Sequence, residues 1–87
     1  MKKLNSEEFE KLKDGTVSLL SKYPTFRKGQ AAFIVLESIN FNLANSVRGT
    51  SNDPFYMDSK MDLFLLEILD ETAYQKFCES GTSLARF

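Results

Sequence analysis

The side chains able to do chemistry are few in this chain of 87 residues, and their absences are informative. No histidine occurs anywhere, which excludes Ser-His-Asp and Cys-His nucleophilic systems and the zinc sites that need an imidazole. The commonest general base goes with it. Cys78 is the single thiol, and one cysteine can make neither a structural zinc site nor an internal disulfide. Its place beside Phe77 on an apolar helical stretch predicts a small core residue. Carboxylates remain for acid–base or metal work. Asp53, Asp58 and Asp62 are close enough in sequence to share Mg²⁺ or Ca²⁺ through oxygen ligands, although their spacing does not match an EF-hand loop. Each also has a structural use: Asp53 starts a turn ahead of Pro54, Asp58 stands at a helix entrance, and Asp62 completes a capping box with Ser59. The expectation is a non-enzymatic protein with no metal and no cofactor.

Two segments carry residue types suited to recognition. Arg27-Lys28-Gly29-Gln30 opens a helix, where free backbone N–H groups and the positive end of the dipole attract an anion. No Walker-type glycine loop accompanies it, and basic residues in a first turn oppose the dipole. A solvated entrance, or Arg27 paired with a carboxylate from the acidic half, competes with a ligand site. The second segment, Arg48-Gly49-Thr50-Ser51-Asn52-Asp53-Pro54-Phe55-Tyr56, joins a helix stop, a hydroxyl-rich turn, a rigid Asp-Pro step and two adjacent aromatics. It has two readings. In one, Phe55 tucks into the core, Tyr56 covers its edge, and Asp53 bonds local amides or Arg48. In the other, the loop is a recognition surface with Arg48 and Tyr56 as anchors of the kind enriched at interface hot spots.

The elements that must position these residues read as helices. Asn5 with Glu8 forms a capping-box pattern and Leu4 can staple against Phe9, so a first helix starts here. Its apolar residues Phe9, Leu12, Val17, Leu19, Leu20 and Tyr23 fall close to a 3.6-residue repeat. Gly15 weakens its middle, and Pro24 ends it. Thr25 is the expected cap of a second helix through Ala31-Ala32-Phe33-Ile34-Val35-Leu36, apolar almost all round and hence central; a buried strand over residues 33–39 is the competing assignment. Asn40 can cap a short third helix carrying Leu43, Ala44 and Val47, with Gly49 as its stop. After the loop, Met61, Phe64, Leu65, Ile68 and Leu69 form the clearest helical stripe in the chain. Asp70-Glu71-Thr72 starts a last helix bearing Tyr74, Phe77 and Cys78 and closed by Gly81, followed by a tail in which Leu84 and Phe87 either pack or fray.

Composition bounds the whole. At this length one core is all the chain can build, so residues 1–87 read as a single helical domain. An apolar share of 43% and a charged share of 26% are those of a globular protein. The net charge of −1 gives no broad basic field to attract phosphate backbones. Charge is uneven, however: residues 1–50 carry eight Lys and Arg against five Asp and Glu, and residues 51–87 carry three against seven. Lys2 and Lys3 lead into a polar stretch unlike a signal peptide, and the apolar run Ala31 to Leu36 is far short of a membrane span. With the lone thiol, these features lead to the expectation of a reducing, cytoplasmic setting.

The stretches Tyr23 to Gln30, Leu43 to Thr50 and Asp53 to Tyr56 together resemble small uncharacterised proteins of tailed bacteriophages. In those, an Arg-x-Gly-Gln step precedes an apolar helix and an Arg-Gly-Thr-x-x-Asp-Pro-Phe-Tyr-like loop follows. The resemblance covers about residues 23–66. It implies a phage-encoded accessory protein, located in the host cytoplasm, that binds and inhibits or redirects a host or phage protein. The expected fold is all-α, a compact bundle of four to five short helices, with an α+β arrangement containing a strand near residues 33–39 as the alternative. The expected contact residues are Arg48, Asp53, Phe55 and Tyr56, with Arg27 and Gln30 nearby. Two other functions compete: a nucleic-acid or nucleotide binder using Arg27, Lys28 and Arg48, and a virion structural or assembly protein acting as a homo-oligomer.

Overall fold

The computed structural model describes residues 2–79 as five α-helices: α1 (Ser6–Lys22), α2 (Lys28–Ile39), α3 (Phe41–Val47), α4 (Met61–Ile68) and α5 (Glu71–Glu79), with a 3-10 turn over Asp58–Lys60 leading into α4. The chain is all-α. Residues 33–39 lie wholly within α2, so the strand alternative is overturned. Ala31, Ala32, Phe33 and Leu36 are fully buried there, at spacings that wrap most of the helix, and α2 packs against both α1 and α3. An all-round apolar segment in this position is sealed on several sides, which a helix manages without unpaired backbone.

Local signals set most of the boundaries. Asn5 and Glu8 form the reciprocal capping box, with the Glu8 amide donating to Asn5 Oδ1 at 2.8 Å and the Asn5 amide donating to Glu8 Oε1 at 3.0 Å. Asn40 closes α2 and opens α3, accepting from the Leu43 amide at 3.1 Å. Asp70 caps α5 through the Ala73 amide at 2.8 Å. All five residues of the predicted α4 stripe are buried. Leu4 and Phe9 are both buried in the common core.

Elsewhere the structure corrects the expectation. Thr25 does not cap α2: Arg27 is the capping residue and makes no side-chain bond to the helix. Ser59 and Asp62 form no capping box, because the 3-10 turn winds straight into α4 with Lys60 at the cap. On α1 the buried face is Phe9, Leu12 and Thr16, while Val17 and Tyr23 are exposed. Thr16 enters the core because its hydroxyl donates back to the Leu12 carbonyl at 2.7 Å, which satisfies the one group that would otherwise resist burial. Gly15 sits where α1 meets α2, and a Cβ there would stand 2.8 Å from Val35 Cγ1.

One long-range tie was not readable at all. Leu4 pairs as an isolated parallel bridge with Leu69, its N–H donating to the Ile68 carbonyl and its carbonyl accepting from the Asp70 N–H, both at 2.8 Å. The N-terminal segment thereby supplies partners at the α4–α5 corner, where the broken helix leaves backbone groups open. The expected stop at Gly81 and the packing of Leu84 and Phe87 lie outside the described residues.

Candidate functional site

The segment between α3 and α4 is built around Asp53. Gly49, with φ of 76°, turns the chain out of α3 in the left-handed region that glycine adopts without strain. The Asp53 carboxylate then spans the loop, Oδ2 accepting from the Gly49 amide at 2.8 Å and Oδ1 from the Phe55 amide at 2.9 Å. The Thr50 hydroxyl donates to the Val47 carbonyl at 2.6 Å, and the Asn52 amide returns to that hydroxyl at 3.2 Å. Almost every turn in the segment is closed by a short bond of its own.

Two further contacts fasten this loop to the start of α2. The Gly29 amide donates to Asp58 Oδ1 at 2.9 Å, so a carboxylate 29 residues away caps the helix that no local side chain caps. Pro54 is fully buried, and its carbonyl oxygen lies where a Cβ on residue 29 would have to stand. The anion suited to the α2 dipole is therefore already present as Asp58. The Arg27 to Gln30 turn and the Arg48 to Tyr56 loop, far apart in sequence, become neighbours.

Side chains in the loop divide into inward and outward sets. Phe55 is half-buried and meets the Phe33 ring edge-on, with centroids 6.1 Å apart, while Phe33 in turn packs on Phe64 at 6.2 Å. Arg48 pairs with Glu37 at 2.9 Å, donates to Asn45 Oδ1 at 3.3 Å, and lays its guanidinium 5.0 Å from the Phe33 centroid. Asp53 and Arg48 do not pair with each other. Tyr56 stands 75% exposed with the Phe55 ring 4.9 Å away beside it, and Met57 is 52% exposed. A cavity of about 210 Å³ opens between Phe33, Arg48, Gly49, Asp53, Phe55 and Tyr56. Of the remaining candidates, Arg27 is exposed, and Lys28 and Gln30 are half-buried.

Sequence reasoning missed Met57, and it read Asp58 only as a helix-entrance residue and metal candidate, not as the cap of α2. An exposed Met beside an aromatic pair is a readable interface signal. The Asp58 cap has no local signature, because its partner is set by tertiary packing. The three loop-region carboxylates do not converge: Asp53 serves Gly49 and Phe55, Asp58 serves Gly29, and no group of three ligating side chains suited to a metal occurs among the described residues.

A second cavity, about 510 Å³, lies between the α4–α5 corner and Lys3, with Leu66, Leu69, Tyr74 and Cys78 in its walls. Cys78 is exposed there, not a core residue. The helical turn explains this: Ala73 and Phe77 take the buried face of α5 at i and i+4, and the next position rotates about 100° away. The adjacent Cys78 side chain, by its charge when ionised, raises the Tyr74 phenol above its ordinary value, with desolvation adding to it and a hydrogen bond from the same pair reinforcing it.

No protein-family model matches the chain, and no curated protein or solved structure matches it.

Proposed function

We propose that the chain is a non-enzymatic protein-binding accessory protein whose contact face is the loop from Arg48 to Met57 together with the Arg27 to Gln30 turn of α2. The observation that carries this is Tyr56: a large aromatic side chain left three-quarters exposed, next to an exposed Met, on a loop whose own hydrogen bonds fix its backbone. Leaving such groups wet forfeits the stabilisation that burial would give, about 1.5–3 kcal/mol for a large side chain. Pro54 and Phe55, the two residues before it, pack inward, so the chain turns outward at Tyr56 and Met57. Tyr, Met and Arg are the residue types enriched in interface cores, and a rigid platform reduces the ordering cost of binding.

Within this reading Arg48 acts chiefly as scaffold, since Glu37, Asn45 and Phe33 already engage it, and Tyr56 is the principal anchor. Capture of a host or phage protein, with inhibition or redirection as the outcome, is the function that the resemblance to phage accessory proteins implies. Affinity capture from a lysate of the source cells tests the face. Wild type and Phe41→Ala, altered at the exposed opposite end of α3, should recover the same partner, and Tyr56→Ala should lose it with its fold intact. Equal recovery by folded Tyr56→Ala would sink the assignment.

A further inference from the structure

We propose that the cavity beside Tyr56 receives one uncharged, apolar side chain of the partner; this rests on the loop being the contact face. Its volume of about 210 Å³ is below the roughly 300–1,000 Å³ of small-molecule sites and suits a single side chain. Three of its lining residues are aromatic: Phe33, Phe55 and Tyr56. Phe33 is fully buried, whereas Phe55 is half-buried and Tyr56 exposed. These last two rings, 4.9 Å apart and inclined at 64°, supply the apolar surface still open to an occupant.

The charged groups select an apolar occupant because they are already engaged. One arginine and one aspartate line the cavity, so its walls carry no net charge. Arg48 meets Glu37 at 2.9 Å, donates to Asn45 at 3.3 Å and lies over Phe33 at 5.0 Å. Each oxygen of Asp53 accepts a backbone amide, from Gly49 at 2.8 Å and from Phe55 at 2.9 Å. The surrounding face is balanced as well: Arg27 and Lys28 stand against Glu37, which holds Arg48, and Asp58, which holds the Gly29 amide. An ionic side chain entering here would give up its hydration with no unengaged counter-charge in the walls to replace it. An apolar one exchanges only water for ring surface, and a single anchor in a small desolvated pocket is where interface energy concentrates.

The test uses N-acetyl-leucine amide, N-acetyl-arginine amide and N-acetyl-glutamate amide as probes against the full chain, followed by the ring resonances of Phe55 and Tyr56. The leucine probe should shift both rings saturably, and its affinity should hold as salt is raised, whereas attraction to a charge would fade. Both charged probes should bind several-fold more weakly. Tyr56→Ala, which removes an exposed wall, should weaken the leucine probe several-fold as read at Phe55, and Phe41→Ala on α3 should leave it unchanged. A charged probe that binds as tightly as the leucine probe, or no saturable response to leucine, overturns the proposal. If that happens while Tyr56→Ala still abolishes partner capture, the contact face stands and the apolar occupant alone is withdrawn.

Discussion

The Gly29 amide donates to the Asp58 carboxylate at 2.9 Å, and a Cβ at residue 29 would strike the carbonyl oxygen of Pro54. One glycine thus joins the entrance of α2 to both ends of the Pro54 to Asp58 segment. Its lack of a side chain lets the loop backbone come close, and its N–H gives the incoming carboxylate a partner.

Gly29→Ala should therefore destabilise the protein by about 1–3 kcal/mol, the ordinary cost of overpacking, in spite of the higher helix propensity of alanine. The obstacle is backbone, which cannot rotate away. Gly15→Ala should cost less, since the atom it meets is a Val35 methyl and alanine recovers about 1 kcal/mol in a helix interior. Urea unfolding of the two variants checks the order.

Asp58→Ala should lower stability by about 1 kcal/mol, the usual worth of an N-cap. Amide exchange at Gly29 should accelerate at the same time. Asp58→Asn should keep most of the effect, because an amide oxygen still accepts the bond. An unchanged Gly29 exchange rate in Asp58→Ala would show that the bond contributes nothing in solution.

Asp53→Ala removes the acceptor of two loop amides and should cost about 1–3 kcal/mol, at roughly 0.5–1.5 kcal/mol for each bond. Exchange should rise selectively at Gly49 and Phe55. Uniform protection across the loop after this change would mean that the Pro54 and Phe55 packing holds it alone.

Cys78→Ser should lower the titration midpoint of the Tyr74 phenol toward 10.0, since the Cys78 charge is the largest cause of its elevation. A phenol that holds its proton more tightly when folded favours the folded chain below the unfolded value, and that contribution is lost as pH rises through the folded value. An NMR titration of the Tyr74 ring in both forms reads this directly. An identical midpoint would remove Cys78 as the cause.

What was legible in the sequence was local. The Asn5–Glu8 box, the Asn40 and Asp70 caps, the Gly49 stop and the Met61 to Leu69 stripe each involve partners within four residues or a simple period, and each appears as read. The failures share the opposite character. Thr25 looked like a cap because it stood at the right distance from an apolar run, yet the chain continued to Arg27 and took its cap from Asp58. Cys78 reads as a small core residue beside Phe77, yet its helix turns it outward.

For the candidate site the same division holds. The sequence pointed to Arg48, Asp53, Phe55 and Tyr56, and the structure brings all four to the walls of one cavity. Which of them would face outward was not legible. Arg48 is engaged by Glu37 and Phe33, both on α2, and only that packing distinguishes scaffold from anchor.

The most direct measurement is an amide hydrogen-exchange footprint of the chain with its captured partner bound. Protection should appear at residues 48–57 and 27–30, with the α4–α5 cavity around Leu66 and Tyr74 unchanged. Protection confined to the α4–α5 cavity, with Tyr56 and Met57 exchanging as in the free chain, would contradict the assignment of the contact face.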